Sequence, residues 1–250
     1  MIRIILHGCS GRMGRIITGI CENDMDTEIV AGVDVFGEEY AGYPVFRTLD
    51  ECPEADVIID FSTAAAIDDL LQYAADQKLP VVVCTTGLSE AQTKQLKTVS
   101  EKTAVLKSAN MSVGINLLEV LIAQAAPKLA AAGFDIEIVE KHHRTKIDAP
   151  SGTAIALADA ANEALGGEYD YVYDRSARRE KRPVREIGIS AVRGGTIVGD
   201  HDVIFAGQDE VITLSHRAYS RAVFGKGAVE AAKFLAGKGA GFYTMGDVLS

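Results

Sequence analysis

The chain has 250 residues, of which 48% are hydrophobic and 24% are charged, and its formal net charge is −10. This composition can form a sizeable core and argues against wholesale disorder. The excess of acidic residues argues against general binding to nucleic acid or to an anionic membrane, but a local basic cluster could still bind an anionic small molecule.

The cysteines and the start of the chain bear on the compartment. Four cysteines form no C-x-x-C pair and match no zinc spacing: Cys9, Cys21, Cys52 and Cys84. The apolar run from Met1 to Leu6 is too short for a signal peptide or a membrane span. We therefore expect free thiols, a reducing compartment and a cytoplasmic protein without a membrane partner.

The first half of the chain alternates short β-type runs with helical segments. Strands are predicted at 3–6, 28–34, 55–60, 79–84 and 103–107. Helices are predicted at 13–21 and 64–77, and a further helix from Ser89, where Ser89 and Gln92 fit a capping box. Strands that are apolar on both faces and alternate with helices predict a Rossmann-type α/β domain, with a parallel sheet covered on both sides.

The second half has a different pattern. Helices are predicted at 115–131 and 153–165, strands at 134–140, 186–193, 195–206 and 210–216, and a mobile polar loop at 166–182. Glycine-containing breaks at 194–195 and 207–208 indicate antiparallel connections. These features predict a second α+β domain with a mostly antiparallel open sheet, followed by a helix at 221–236.

A glycine-rich turn links the first strand to the first helix. Gly8, Gly11 and Gly14 have the spacing G-x-x-G-x-x-G, a variant of the dinucleotide fingerprint. Such a turn lets the backbone approach a pyrophosphate closely, and the helix N-terminus offers N–H groups to the phosphates. Asp34 stands where the fingerprint has the acid that binds the ribose hydroxyls. An ordinary glycine turn is the alternative, but it does not account for the strand, helix and acid together.

The residues around Asp34 bear on the choice of cofactor. A carboxylate there would repel a ribose 2′-phosphate, and the next residues are Val35 and Phe36 rather than an arginine that could hold it. We therefore expect NADH to be preferred, with NADPH possible as a second cofactor.

The segment 140–153 (EKHHRTKIDAPSGT) carries the densest chemistry and follows a predicted strand. Ser151 is a suitable N-cap for a helix whose start, Gly152 and Thr153, offers N–H groups to a carboxylate. Four side chains add positive potential: His142, His143, Arg144 and Lys146. A small substrate with one or more carboxylates would fit. A solvated basic loop, a plain helix start and a metal site are the alternatives, and no third ligand is suitably spaced for a metal.

The motifs together are similar to those of the dihydrodipicolinate reductase family. In chain order they are GCSGRMG at 8–14, DFST at 60–63, TTG at 85–87, SANMSVGIN at 108–116, EKHHRTKIDAPSGTA at 140–154, AVRGGTIVGDH at 191–201 and SHRAYSRAVFGKGA at 215–228. The resemblance covers essentially the whole chain. It implies hydride transfer from a nicotinamide to an unsaturated cyclic imine dicarboxylate and protonation of the neighbouring carbon, which gives tetrahydrodipicolinate in lysine and diaminopimelate biosynthesis.

The resemblance also implies roles for individual residues. His142 corresponds to the catalytic acid or base and Lys146 to the proton donor. The substrate carboxylates would be held by His143, Lys146, Gly152 and Thr153. The cofactor would be held by Gly8, Cys9, Ser10, Gly11, Arg12, Met13, Asp34, Cys84, Thr85, Thr86, Ser108, Ala109, Asn110 and Met111.

Three positions depart from the usual family pattern. Cys84 stands where many members have glycine, Met111 where many have phenylalanine, and Val35 where many have a basic residue. The first two put the orientation and affinity of the cofactor in doubt rather than the reaction, and Val35 agrees with a preference for NADH.

The family's organisation implies a homotetramer assembled through the second-domain sheets. It also implies a dinucleotide-binding domain at 1–112 and 221–250, and a substrate-binding and oligomerisation domain at 113–220. Two other functions remain open at this point. One is another amino-acid-pathway dehydrogenase, acting on aspartate or homoserine. The other is a non-catalytic dinucleotide-sensing regulator, in which His142 and Lys146 would have no role.

Overall fold

The computed structural model describes residues 1–36 and 42–250. The chain divides into two compact units. Unit 1 comprises Met1–Ser112 and Arg221–Ser250, and unit 2 comprises Val113–Ser220. The predicted fold class is confirmed, because unit 1 contains a parallel sheet covered by helices and unit 2 contains a second, mixed sheet with two helices.

Unit 1 is built on a seven-stranded sheet. Its strands are β1 (Ile2–His7), β2 (Thr27–Val33), β3 (Val45–Phe46), β4 (Val57–Asp60), β5 (Val81–Val83), β6 (Ala104–Leu106) and β12 (Gly241–Tyr243). Their spatial order is β12-β6-β5-β4-β1-β2-β3, and all neighbours are parallel. The strand order reverses at β1, between β2 and β4, and such a reversal opens a crevice at the carboxyl ends of the strands where nucleotides bind.

Helices cover both faces of this sheet. They are α1 (Arg12–Cys21), α2 (Ile67–Gln77), α3 (Glu90–Ser100), α6 (Ala222–Leu235) and the short α7 (Met245–Leu249). Because successive side chains of a strand point to opposite faces, Ile4 and Leu6 pack in one buried cluster with α6, whereas Ile5 packs in the other with α2 and α3. The predicted capping box is confirmed, since the Ser89 hydroxyl accepts from the Gln92 N–H at 3.2 Å.

Unit 2 packs two helices on a five-stranded sheet. The helices are α4 (Val113–Ala131) and α5 (Gly152–Ala164), and the strands are β7 (Asp135–His142), β8 (Asp170–Tyr173), β9 (Glu186–Arg193), β10 (Gly199–Ala206) and β11 (Val211–Ala218). The spatial order is β11-β10-β7-β9-β8. The pairs β11–β10 and β10–β7 are antiparallel, whereas β7–β9 and β9–β8 are parallel, so the sheet is mixed rather than mostly antiparallel as predicted.

Three local predictions need correction. The break at 207–208 does join an antiparallel pair, but the break at 194–195 does not, because β7 lies between β9 and β10. The segment 166–182 is not a loop throughout, since it contains β8. Its last residue, Arg182, is also anchored, with bonds to Asp135 at 2.8 Å and Glu137 at 3.0 Å. The short elements β3, β12 and α7 were not predicted at all.

Helix α4 is apolar on more than one side. Leu118, Ile122 and Ala126 lie in the unit 2 core. Four other residues are exposed to solvent: Val113, Leu117, Val120 and Leu121. In the part of the chain that the structure describes, α4 alone is long and apolar enough to cross a membrane, with a mean hydropathy of 1.3. A single helix of this kind is weak evidence for a membrane span, because helices of water-exposed domains meet the same criterion.

Candidate functional site

At two glycines of the turn after β1, the surrounding backbone leaves no room for a side chain. Gly8 has a φ of +80°, and a Cβ there would lie 2.6 Å from the carbonyl oxygen of Phe61. A Cβ on Gly14 would lie 2.2 Å from the carbonyl oxygen of Cys9. Gly11 is the N-cap of α1 and provides no side-chain cap. The turn therefore presents bare backbone at a helix N-terminus, as a phosphate cradle requires.

Asp34 is fixed against this turn. Its Oδ2 accepts from the Ser10 N–H at 3.1 Å, and its Oδ1 accepts from the Phe36 N–H at 3.2 Å. The end of β2 and the glycine turn are thus joined directly. The carboxylate is already oriented at the carboxyl edge of the sheet, where a ribose would be recognised.

The other predicted cofactor residues follow the ends of β5 and β6. Cys84, Thr85 and Thr86 follow β5, and Ser108, Ala109, Asn110 and Met111 follow β6 by one residue. Two contacts hold the second segment: the Ser108 hydroxyl accepts from the Met245 N–H at 2.7 Å, and Gly227 of α6 lies so close to the Met111 carbonyl that a Cβ would be 1.6 Å from it. Helix α6 therefore forms part of the support for the predicted nicotinamide end.

A buried polar cluster beneath these strand ends was not predicted. Asp60 is fully buried, and its Oδ1 bonds the His7 Nδ1 at 3.0 Å and accepts from the Ser62 hydroxyl at 2.6 Å. Burial pushes the pKa of Asp60 up, but the interactions with His7, Ser62 and Thr85 together outweigh it, so this pKa lies below its ordinary value. Lys107 donates to the Thr85 carbonyl at 2.7 Å and ties the end of β6 to that of β5.

In unit 2, strand β7 carries the first half of the segment 140–153. Its residues alternate between buried and partly exposed along the whole strand. The buried face begins with Ile136 and Ile138 and continues with Glu140 and His142. An apolar strand face thus becomes polar at its last two inward positions, which places a carboxylate and an imidazole next to each other.

Glu140 and Arg193 each make four hydrogen bonds in this region. Glu140 is fully buried, and its Oε2 bonds the His142 Nδ1 at 2.6 Å. Arg193 approaches both carboxylate oxygens, at 2.8 Å and 2.7 Å, and the Ser151 N–H donates to Oε1 at 3.0 Å. Burial raises the pKa of Glu140, but the hydrogen bonds from Arg193 and His142 lower it by more. The net pKa lies below its ordinary value, so the carboxyl is ionised near neutral pH.

His142 lies among charged and aromatic groups. The ring of His201 stands edge-on to it, with the centroids 5.1 Å apart. Burial lowers the pKa of His142 and Glu140 opposes this effect, with a net pKa below the ordinary value. Burial also lowers the pKa of His201 to about 4, so His201 is neutral near pH 7. Of the two rings, His142 is the one that a carboxylate bonds directly, and such a bond favours its protonated form.

The loop after β7 carries Lys146 and His143. The Lys146 ammonium is held by both carboxylate oxygens of Asp148, at 2.7 Å and 2.8 Å. The His143 Nδ1 bonds the Thr145 hydroxyl at 2.8 Å. Arg144 is exposed. Both predicted binding residues of this loop are therefore oriented by short-range contacts within the loop itself.

The start of α5 completes the region. Ser151 is its N-cap, as predicted, and its hydroxyl accepts from the Ala154 N–H at 3.1 Å. The same hydroxyl bonds the His201 Nε2 at 3.1 Å. Gly152 is exposed and has open space around the position of a Cβ, so a ligand can approach its backbone closely. A carboxylate at this place would also face the positive end of the helix.

The structure therefore groups the predicted residues in two places. The predicted cofactor residues lie along the carboxyl edge of the unit 1 sheet, and the predicted substrate and catalytic residues lie at the end of β7 and the start of α5 in unit 2. Sequence reasoning did not single out Glu140, Arg193 or His201. The alternation of β7 could have indicated Glu140, because it lies two residues before His142.

Comparisons with known proteins agree with these observations. Residues 2–111 match the family model described as "Dihydrodipicolinate reductase, N-terminus", and residues 114–249 match "Dihydrodipicolinate reductase, C-terminus". The 4-hydroxy-tetrahydrodipicolinate reductase of Caldanaerobacter subterraneus is 53% identical, and that of Clostridium tetani 46% identical, with 100% of this chain and 98% of each relative covered. The chain belongs to the dihydrodipicolinate reductase family.

Solved structures give the same result for the fold. A dipicolinate-bound dihydrodipicolinate reductase from Paenisporosarcina sp. TG-14 matches with a TM-score of 0.79 and 25% identity, over 98% of this chain and 97% of that one. A myo-inositol dehydrogenase from Corynebacterium glutamicum matches over 97% of this chain and 90% of that one, with a TM-score of 0.60 and 15% identity. The second likeness concerns the fold alone. Unit 1 is a Rossmann-type nucleotide-binding domain.

The glycine cradle can be tested by adding one methyl group. We expect Gly14→Ala to weaken NADH binding about tenfold or more, because its Cβ would lie 2.2 Å from a backbone oxygen and overpacking costs about 1–3 kcal/mol. Gly19→Ala is the control, since it lies in the same helix with nothing within 4 Å of the added Cβ. Titrations that follow NADH fluorescence measure both, and equal affinity of Gly14→Ala and the wild type would contradict the cradle.

Proposed function

We propose that this chain catalyses the NAD(P)H-dependent reduction of dihydrodipicolinate (4-hydroxy-tetrahydrodipicolinate) to tetrahydrodipicolinate in lysine and diaminopimelate biosynthesis. The observation that carries the proposal is the cationic region around His142 and Lys146 at the start of α5, in a chain whose other unit holds the glycine cradle. Membership of the dihydrodipicolinate reductase family supports the substrate.

The residues at the carboxyl edge of the unit 1 sheet fit a dinucleotide. The proposed pyrophosphate contacts are the backbone from Gly8 to Met13, a turn whose tight path side chains at Gly8 and Gly14 would disrupt by clashing with the backbone of Phe61 and Cys9. Asp34 would bind the ribose, and the segments 84–86 and 108–111 would line the nicotinamide. Bound NAD(P)H supplies the hydride, and the protein needs no metal for this step in the proposed mechanism.

The protein's own groups would bind the substrate and supply the proton. Gly152 and Thr153 would receive one carboxylate at the positive end of α5, with the His143 ring as a further hydrogen-bonding group and Lys146 adding positive charge. The Lys146 ammonium would also stabilise negative charge that develops on the substrate as the hydride arrives. Lys146 is the proposed donor of the proton that is added to the neighbouring carbon, and His142 the proposed acid or base that supports it.

Removing the two proposed proton-transfer groups tests the mechanism. We expect His142→Gln and Lys146→Ala each to lower kcat by about 10²-fold or more, because a positioned acid or base contributes about 10²–10⁴-fold. The Kd of NADH should stay nearly the same, since neither residue belongs to unit 1. Lys141→Ala is the matched control, because Lys141 lies on the other face of β7 and pairs with Asp202.

The assay should use substrate freshly generated by the preceding synthase. Wild-type turnover in both His142→Gln and Lys146→Ala would refute the proposed mechanism. Oxidation of NADH with oxaloacetate and ammonia, but not with dihydrodipicolinate, would favour an aspartate dehydrogenase instead. Binding of NADH without any turnover would favour the regulator.

The proposed preference for NADH rests on Asp34. We expect kcat/KM to be higher with NADH than with NADPH. Asp34→Asn should lower the ratio of the NADH value to the NADPH value about tenfold, because it would remove a repulsion of roughly 1.4 kcal/mol between the carboxylate and the 2′-phosphate. Glu28→Gln removes the same charge from the exposed amino end of β2 and should leave the ratio unchanged. A wild-type kcat/KM with NADPH equal to or above that with NADH would refute the preference.

The proposed assembly is a homotetramer. Exposed apolar side chains on α4 and on β11 support it, among them Leu117 at 51%, Val211 at 62% and Ile212 at 38% exposure. β11 is also an edge strand of its sheet, and an uncovered edge can pair with another chain. Sedimentation of the purified protein should give four times the 26.6 kDa chain mass. A monomer at micromolar concentration would contradict the assembly.

The proposed location is the cytoplasm. All four cysteines are free thiols, which agrees with a reducing compartment. Enzyme activity confined to the membrane or secreted fraction of cells would contradict this location.

A further inference from the structure

One carboxylate in unit 2 accepts hydrogen bonds from three separate elements. Glu140 Oε2 is reached by the His142 Nδ1 at 2.6 Å and by one Arg193 nitrogen at 2.8 Å. Its Oε1 is reached by the Ser151 N–H at 3.0 Å and by the other Arg193 nitrogen at 2.7 Å. The side chain has no exposed surface, so these donors replace the water that a carboxylate otherwise needs.

We propose that Glu140 is the positioning residue of the reductase site, acting on the catalytic group His142 and, through Arg193, on the loop that carries Lys146. The inference rests on the proposed function and adds a residue to it. Glu140 does not reach substrate itself, because it is fully buried and both of its oxygens are occupied.

The first effect is on the orientation of His142. An ionised carboxylate can only accept, so the proton on the His142 ring must sit on Nδ1 when the ring is neutral. Nε2 is then the ring nitrogen that can meet a ligand. Gly199 leaves room on that side, since a Cβ there would lie 3.0 Å from Nε2. The edge-on ring of His201, whose centroid is 5.1 Å away, limits rotation of the His142 ring.

The second effect is on the loop after β7. Arg193, held by Glu140, also donates to the backbone carbonyl of Asp148 at 2.6 Å. The side chain of Asp148 in turn holds the Lys146 ammonium. Next to Arg193, the Gly194 N–H donates to the His142 carbonyl at 2.9 Å, so the end of β9 is also bonded to the end of β7 through the backbone. A single carboxylate thus fixes the relative positions of His142 and of the loop that presents Lys146.

The third effect is electrostatic. The charged and titratable groups that face His142 are Glu140 from its own strand, Arg193 from β9, His201 from β10 and Lys146 from the loop. His216 of β11 lies opposite His201 in the sheet register. Glu140 is the only anion among them and favours the imidazolium, whereas Arg193 and Lys146 oppose it. Loss of the carboxylate therefore lowers the pKa of His142.

Glu140→Gln tests this arrangement with almost no change in volume. An amide has one acceptor oxygen, so its NH₂ group must face either Ser151 or His142 as a second donor. We expect kcat to fall about 10–100-fold, the range typical of residues that orient a reacting group. The Kd of NADH should not change, because Glu140 lies outside unit 1.

Glu137→Gln is the matched control. Glu137 is on the same strand, but its side chain is partly exposed, and it also pairs with an arginine, Arg182 at 3.0 Å. The variant removes the same charge from the other face of β7. Its kcat and pH profile should be those of the wild type.

The pH dependence separates positioning from a general structural role. The limb of the kcat/KM profile that belongs to His142, identified by its absence in His142→Gln, should move to lower pH in Glu140→Gln. Titration of ¹⁵N-labelled histidines by NMR, which does not require the enzyme to turn over, should show the same fall in the pKa of His142. Glu140→Asp keeps the charge and should largely keep this pKa, although kcat falls because the side chain is shorter.

The outcomes are distinct. An unchanged pKa of His142 in Glu140→Gln, or wild-type kcat in that variant, overturns the positioning role. If the wild-type enzyme does not reduce dihydrodipicolinate, the proposed function fails, while the NMR titration still decides whether Glu140 controls His142. Should Glu140→Gln not fold, Arg193→Lys loosens the same carboxylate while retaining the positive charge. We then expect a smaller fall in kcat, and unchanged turnover would count against the inference.

Discussion

The carboxylate of Glu140 is the group on which the geometry of unit 2 depends. A buried anion is costly, by several kcal/mol, unless donors surround it. Here the donors come from the end of β7, the end of β9 and the start of α5. Sheet pairing brings the ends of β7 and β9 together, the unit 2 core holds α5 against them, and the carboxylate adds direct bonds among all three. A well-packed apolar residue could stabilise the unit equally well, so the charge is best understood as serving the placement of His142 and Ser151.

Unit 1 depends on a different constraint, the close approach of backbone to backbone. Gly8 and Gly14 hold the turn against Phe61 and Cys9, and Gly227 brings α6 against Met111. Such contacts leave no space for side chains, so the surface offered to a dinucleotide is made of peptide groups. In the proposed function the two units recognise their ligands by different means: backbone N–H groups and a fixed acid in unit 1, and side chains held within their loop together with a helix N-terminus in unit 2.

Local patterns in the sequence predict much of this. The strands and helices of unit 1, the capping box at Ser89 and the cap at Ser151 follow from short-range preferences. Strand order does not, because pairing is decided by contacts between distant segments. β7 lies between β9 and β10, although β9 and β10 are neighbours in sequence. The three-residue β12 has no periodicity that would identify it.

The same reasoning explains which site residues could be predicted. The glycine turn and the basic segment 140–153 stand out because their chemistry is contiguous. Arg193 and His201 do not, since they lie about 50 to 60 residues beyond Glu140 and His142 and join them only through the sheet register. Their importance depends on hydrogen bonds of about 3 Å to the buried groups Glu140 and Ser151, and neither the distances nor the burial can be read from residue types alone.

Unit 1 is formed by two separate stretches of chain with unit 2 between them, and this affects the order in which the units fold during synthesis. Residues 113–220 are continuous and hold their own core, so they can fold while the ribosome is still adding the rest. Unit 1 cannot be completed at that stage, because β6 at residue 104 pairs with β12 at residue 241 and α6 covers the sheet from residues 222–235. Unit 1 is therefore completed last in a newly synthesised chain: α2 and α3 can already pack on one face of its sheet, but the face that α6 covers stays partly exposed until then.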